Sequence, residues 1–400
     1  MPTLATKDKC SGCSACLNAC AKGAIKMVAD KEGFLQPVVN AEKCIDCGLC
    51  EKSCPVVTPL DNENAMEPKA LAMWHNADRT VSSSGGAFSA MARSVLSRGG
   101  VVFGAAYDPF PILKHIAVDS VEGLDRLRGS KYMQSDLGDS FKQIRTLLNE
   151  GREVMFCGTP CQVAGLRKFL RKPYEGLLLV DLACHGVPSN AVFNSYLKKL
   201  ENRLGKAESP VAIQNYEFRR RDGWGFSPSI STDMSSCQKV YGVNELFMSA
   251  FDKSALFRES CYTCPYAQMP RVGDCSIADF WGIGRHGVPF KHDVMKGVSL
   301  ILVNNKKGEA AVADMTDCFV EERTLQEALV ENHNLRKTSP RHKDREAIIE
   351  AFLDDALTLD EIDKRFHLTD HSLKGTVKML ATKYGVFDFV KRIYNKYKTL

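Results

Sequence analysis

No run of 18 uncharged apolar residues occurs in this 400-residue chain, so no helix long and apolar enough to cross a bilayer is expected. The opening stretch from Met1 to Lys9 has no apolar core ahead of a small-residue cleavage site, and the expected location is the cytoplasm. Charge of one sign is missing too. The 53 basic side chains are scattered among 48 acidic ones, giving a net charge of +5, which is too balanced for a nucleic-acid partner. What the chain does have is cysteine, 16 in all. Without an export signal these do not read as a secreted disulfide scaffold, and a reducing compartment fits better. With 44% hydrophobic and 25% charged residues, the rest has the make-up of a globular enzyme. Its length calls for a small cysteine-rich module joined to a larger domain.

Residues 1–58 hold the cysteine module, and residues 59–69, with two prolines and several acids and amides, read as a linker. From residue 70 to about 325, strand-like runs alternate with helical ones. Strands are expected at Val101–Gly104, Glu153–Phe156, Leu177–Asp181 and Ser299–Val303, and helices at Asp139–Asn149, Gln162–Leu170 and Asn190–Glu201. The fold expected is therefore α/β, with a mixed or largely parallel sheet, plus a small α+β ferredoxin-like N-terminal domain. Ile213–Met234 is too irregular to assign. Residues 326–400 are charged, cysteine-free and helical in pattern, a basic C-terminal extension.

Cys10, Cys13, Cys16 and Cys20 follow the spacing C-x-x-C-x-x-C-x-x-x-C, and Cys44, Cys47, Cys50 and Cys54 repeat it. Three thiolates two residues apart wrap one 4Fe-4S cluster, and the fourth cysteine of each run reaches the other cluster. One cluster is thus assigned to Cys10, Cys13, Cys16 and Cys54, the second to Cys44, Cys47, Cys50 and Cys20. Paired zinc sites or a disulfide knot need no such crossed arrangement. Ala21 stands where a proline commonly follows the fourth cysteine, whereas the second run keeps Pro55.

In the larger domain, Val81–Ala92 places three serines and two glycines ahead of a helical run, where free backbone N–H groups and hydroxyls suit a nucleotide phosphate. Gly129-Ser130-Lys131-Tyr132 offers a second set of anion donors with an aromatic ring. Gly158-Thr159-Pro160-Cys161-Gln162 lies at a strand-to-helix turn, where α/β sheets place ligands. Cys184 occupies the corresponding end of the next strand, and Cys261-Tyr262-Thr263-Cys264 adds a further C-x-x-C.

Together with Ile277-Ala278-Asp279-Phe280, these stretches resemble the coenzyme factor 420 (8-hydroxy-5-deazaflavin) hydrogenase/dehydrogenase beta subunit family, with a fused two-cluster ferredoxin domain, over nearly the whole chain to about residue 340. The resemblance implies an iron-sulfur flavoprotein oxidoreductase. It would hold FAD and a third 4Fe-4S cluster, and pass electrons between a small-molecule hydride donor or substrate and a ferredoxin or other redox partner protein. Carried over by position, the third cluster falls on Cys161, Cys184, Cys261 and Cys264, and the flavin on Ser84, Gly85, Gly86, Ser130, Lys131 and Tyr132. No nickel site is apparent, so no hydrogen-activating centre is expected. Two other functions stay open: a ferredoxin-dependent reductase of an organic substrate, for instance in surface polysaccharide metabolism, and a non-enzymatic electron-transfer subunit without flavin, which flavin content separates.

Cys157, Cys237, Cys275 and Cys318 lack ligand spacing and read as structural or free thiols, Cys157 and Cys275 being the second choice as ligands. Gly282-Ile283-Gly284-Arg285-His286-Gly287 spells a dinucleotide fingerprint, but Val288-Pro289 follows where a helix is required, and a turn is expected. His185 and His286 are not assigned catalytic roles. In the tail, Thr358–Thr369 lacks a following recognition helix. Lys378–Lys398 has the pattern of an amphipathic helix, expected to dock on its own domain rather than on a membrane surface.

Overall fold

The computed structural model describes residues 1–205, 210–219, 224–225, 228–232, 238–286 and 288–372, together with Gly375, Val377, Leu380, Ala381 and Val386. The N-terminal module consists of α1 (Ala15–Ala19), a hairpin of β1 (Ile25–Ala29) and β2 (Leu35–Val39), and α2 (Leu49–Lys52). The larger unit then runs β3 (Lys69–His75), α3 (Ala87–Ser97), β4 (Val101–Tyr107), β5 (Leu113–Val118), α4 (Leu124–Leu127), α5 (Ser140–Asn149), β6 (Val154–Gly158), α6 (Pro160–Leu170), β7 (Leu177–Leu182) and α7 (Asn190–Leu204). It continues with β8 (Ile213–Glu217), β9 (Ser229–Thr232), β10 (Gln238–Lys239), α8 (Leu246–Asp252), β11 (Cys275–Asp279), β12 (Ser299–Val303), α9 (Lys306–Ala313) and β13 (Cys318–Arg323). The helices α10 (Leu325–Glu331), α11 (Arg345–Leu353) and α12 (Leu359–Phe366) follow.

The main sheet has eight strands in the order β13-β3-β12-β11-β7-β6-β4-β5. It is mixed: β4, β6, β7 and β11 form a parallel centre, with β5 antiparallel at one edge and β12, β3 and β13 antiparallel at the other. The centre is buried on both faces, which is why its strands read as unbroken apolar runs. Alternation survives in where the side chains go. Val101, Phe103, Val154, Phe156, Leu177 and Leu179 pack toward α5 and α6, whereas Val102, Met155, Cys157, Leu178, Val180 and Cys275 pack toward α3. The irregular 213–234 stretch contributes β8 and β9 to a separate three-stranded antiparallel sheet with β10.

The segment read as a linker is pinned across the larger unit by its amide side chains. Asn62 Nδ2 donates to the carbonyls of Pro270 and Arg271, and Asn64 Nδ2 to those of Arg271 and Gly273. Its amides therefore satisfy main-chain acceptors instead of facing water. The C-terminal helices are also packed in. Ile348, Ile349, Phe352, Leu359 and Ile362 share one core with Phe193 and Tyr196 of α7, and Lys199 Nζ caps the carbonyls of Asp354 and Leu357. Thr358 and Glu361 form a capping box at the start of α12, which accounts for the helix-like signal at Thr358–Thr369. The Lys378–Lys398 helix expected from sequence falls almost entirely outside the described residues.

Candidate functional site

The two cysteine runs share a backbone device. Gly12 and Ser14 in the first run, and Asp46 and Gly48 in the second, occupy equivalent places around the middle cysteines, and all four have positive φ. Two left-handed residues per run curl the chain around the middle cysteine, and the two non-glycine residues carry strain that a bound group would justify. The thiols of Cys10, Cys13, Cys16 and Cys54 are close enough to repel one another when ionised, and Cys50 neighbours Cys20. Burial pushes Cys16 up to about 12, with Cys10 and Cys54 adding to it. Exposure differs between the runs: Cys10, Cys13 and Cys16 are all buried, with Cys13 in the core of the larger unit, whereas in the second run Cys50 is buried but Cys47 is exposed beside a solvent-facing Ile45.

In the larger unit, Cys161, Cys184 and the Cys261–Cys264 pair come together from three places in the chain. Burial raises all four thiols, with Cys184 pushed up to about 12 and Cys264 to about 11, and their mutual repulsion adds to the effect. Cys161 is the second residue of α6, whose start is fixed by Pro160 and by a capping box between Thr159 and Gln162. Part of the Gly-Thr-Pro-Cys-Gln motif is therefore helix initiation that aims one thiol. Deprotonating four such buried thiols requires positive charge among them, as a bound iron-sulfur group would supply. Among the described residues, no three Cys, His, Asp or Glu side chains are arranged to hold a single metal ion. A tetrahedral zinc ion would draw its thiolates to about 3.8 Å apart, closer than a four-iron cube keeps them.

Beside this group, at the carboxyl ends of β6, β7 and β11, lies a cleft of about 290 Å³, where ligands of α/β sheets collect. Ser82, Ser83, Ser84, Gly86 and the start of α3 form one wall, Ser130, Lys131 and Tyr132 another, and Cys184 part of the floor. The two walls are joined by the Ser130 N–H, which donates to Ser83 Oγ at 2.9 Å. Gly86, with φ of 90°, is the N-cap of α3 and brings no side-chain cap, leaving first-turn N–H groups for an anion. Two expected residues stand differently. Gly85 is a packing glycine, since a Cβ there would come within 2.2 Å of the Met73 carbonyl. The Lys131 ammonium is turned onto the carbonyls of Leu127 and Arg128 at 3.0 and 2.8 Å, closing the end of α4.

Further cleft residues escaped the sequence. His115 is sealed in a chain in which its Nε2 meets the Cys157 carbonyl at 3.0 Å, its Nδ1 meets Ser135 Oγ at 2.8 Å, and Gln162 Nε2 donates to that hydroxyl at 3.0 Å. Asp279 accepts a two-pronged bond from Arg219 and a 2.6 Å bond from Trp224 Nε1. His115, Ser135 and Arg219 stand in no motif, whereas Gln162 and Asp279 fall within the family-like stretches. Burial raises Cys157 and Cys275, and the charges acting on them are Asp181, Lys131 and Asp274 rather than other thiols. The glycine-rich 282–286 stretch is a turn, with Gly284 N–H bonded to Glu327 and His286 to Glu331. Cys237 and Gly287 lie outside the described residues.

Residues 151–327 match the family described as coenzyme F420 hydrogenase/dehydrogenase, C terminus of the beta subunit, and residues 9–57 match the 4Fe-4S dicluster domain. Over the first of these stretches the chain is similar to this beta subunit family, and over the second to the dicluster module. It is similar to a subunit of the F(420)H(2) dehydrogenase of Methanosarcina mazei, 22% identical over 191 residues, covering 44% of this chain and 53% of that protein. A polyferredoxin-like protein of Methanocaldococcus jannaschii is 27% identical over 77 residues, 17% of this chain and 46% of that one. The chain thus spans about half the length of the curated relatives it matches. A chain from the F420-reducing [NiFe] hydrogenase complex of Methanosarcina barkeri aligns with 77% of this chain and 94% of its own, at 16% identity and a TM-score of 0.44. Among the described residues, no helix is long and apolar enough to cross a membrane.

Proposed function

We propose that this chain is a member of that beta subunit family and an oxidoreductase that exchanges electrons between a small-molecule two-electron donor or acceptor in the cleft and one-electron protein partners at the N-terminal module. The observation that carries the reading is adjacency. Cys184 lines the cleft and neighbours Cys161, Cys261 and Cys264. Tyr266 in turn lies among Cys161 and Cys264 on one side and Cys13 and Cys54 on the other.

In this reading Cys161, Cys184, Cys261 and Cys264 hold a third 4Fe-4S cluster, beyond the two of the dicluster module. The donor set supports that assignment, since four half-buried thiols converge there. Ser84, Gly86, Ser130 and Tyr132 suit a flavin, with the uncapped start of α3 taking its phosphate. A flavin supplies chemistry that accepts a hydride and releases electrons singly. The chain contributes placement. Tyr132, packed edge-on against Phe218 and Phe251, gives the cleft an aromatic wall. The neutral His115–Ser135–Gln162 chain fixes the floor between β5 and α6, and Tyr266 stands between the two thiol groups.

The test is anaerobic purification with iron, sulfide and flavin measured per chain. About twelve irons and one flavin, the content of three such clusters and one flavin, support the reading. About eight irons without flavin refute both the third cluster and the enzyme assignment, leaving an electron-transfer subunit.

A further inference from the structure

Three arginines are sealed at 1% exposure: Arg258, Arg271 and Arg345. A buried guanidinium is normally held by a carboxylate, because an unpaired buried charge is expensive. Arg271 has Asp181, and Arg345 has Glu32. Arg258 has no carboxylate partner among the described residues. Its Nε donates to the Cys10 carbonyl at 2.5 Å, Nη2 to the Leu35 carbonyl at 3.0 Å and Nη1 to Gln134 Oε1 at 3.1 Å, all neutral acceptors. Phe34 lies beneath it, its ring centre 5.6 Å from the guanidinium carbon.

The surroundings of Arg258 point to where the missing negative charge resides. On one side is the loop carrying Cys10 and Cys13, pressed so close that a Cβ at Gly12 would come within 2.7 Å of Arg258 Nη1. On the other is the second cysteine group, where the Cys261 N–H donates to the Arg258 carbonyl at 2.9 Å. Four thiolates around a 4Fe-4S cube leave it with net negative charge in either oxidation state, and that charge grows on reduction.

We propose that Arg258 is the shared counter-charge of the cluster held by Cys10, Cys13, Cys16 and Cys54 and of the cluster held by Cys161, Cys184, Cys261 and Cys264. It stabilises the reduced form of each and so sets the potentials at the junction between the two halves of the chain. Its role is a positioning and tuning one, exerted through charge and through its hold on the Cys10 carbonyl. The inference rests on the three-cluster reading for its second half only, because the first cluster belongs to the dicluster module.

The test is a redox titration of the full chain followed by electron paramagnetic resonance, with iron counted in the same samples. Arg258→Gln removes the charge. At a fixed potential it should raise the oxidised-to-reduced ratio of both adjoining clusters at least tenfold, a fall of about 59 mV or more for a one-electron couple. Arg258→Lys, which keeps the charge but not the fork, should stay within about threefold of the parent. The cluster of Cys20, Cys44, Cys47 and Cys50 should not move, which a merely structural role would not predict. Should Arg258→Gln fail to load iron, Gln134→Glu neutralises the guanidinium in place and should lower the same two potentials. Unchanged potentials at full iron content, or an equal shift of all three clusters, overturn the inference. Only eight irons in the parent would instead overturn the third cluster, and a shift confined to the Cys10 cluster would then still uphold Arg258 as its counter-charge.

Discussion

Replacing Gly165 by alanine sets two effects of opposite sign against each other on α6. A glycine inside a helix costs about 0.8–1 kcal/mol relative to alanine, so on a free helix the change would stabilise. Here the new methyl would lie 2.9 Å from both Cβ and Sγ of Cys13 and 3.5 Å from its carbonyl oxygen. Overpacking of that kind costs about 1–3 kcal/mol. Cys13 cannot slide away cheaply, because Gln134 Nε2 donates to the Ser11 carbonyl and Arg258 Nε to that of Cys10. The net loss is about 0–2 kcal/mol, and it is concentrated on one thiol. The expected Gly165→Ala chain keeps its far-ultraviolet circular dichroism but loses about four irons, one cluster's content. Full iron together with a higher unfolding midpoint would show that α6 does not press on the cluster loop, and would refute the reasoning.

Arg345→Ala leaves Glu32 without its partner in a buried pair, which typically costs about 3–5 kcal/mol. Because the pair joins the N-terminal module to α11, limited proteolysis should cut the variant first near residue 60, and an unchanged digestion pattern would count against the pair. Gly86→Val puts a β-branched residue at a φ of 90°, which such residues avoid. Flavin per chain should fall several-fold while iron is retained, and flavin loss in step with iron would instead mean general unfolding. Burial pulls His115 from 6.5 down to about 4, so between those values the unfolded chain binds the proton that the folded chain refuses. Stability is then fully present above about pH 6.5 and falls as pH drops toward 4, by up to roughly 3 kcal/mol. His115→Gln should flatten that slope in denaturant unfolding between pH 7 and 4.5, and an equally steep slope would dismiss His115 as its source.

The central strands were legible because a sheet buried on both faces writes itself as short apolar runs. Ser299–Val303 is found with the expected ends, and Val101, Val154 and Leu177 start strands within a residue of their expected positions. The edges were not. In β13, Cys-Phe-Val-Glu-Glu-Arg is half exposed and three of its last residues are charged, and its strand form comes from pairing with β3 rather than from its own pattern. Ile213–Glu217 and Ser229–Thr232 pair across a register shift, which breaks the two-residue period that a reader looks for.

The same division runs through the site. Thiols two residues apart are a local signal, and so were the serines and glycines before α3, because the groups they offer lie within one turn of chain. Counter-charges are not local. Arg258 reaches Cys10 across 248 residues of sequence, and Arg345 reaches Glu32 across 313. Neither stands in a recognisable motif, since any arginine on a segment folded to that place would serve. Yet these contacts decide how firmly the module is held. Arg258, Gln134 and Asn18 fix the loop and helix of the first cysteine run to the larger unit, whereas Cys47 and Ile45 of the second run face solvent. In the function proposed above, a module held by one cysteine run and exposed at the other would exchange electrons within the chain at its fixed end and with a partner protein at its open one. The repeat that makes the two runs look equivalent in sequence conceals that difference.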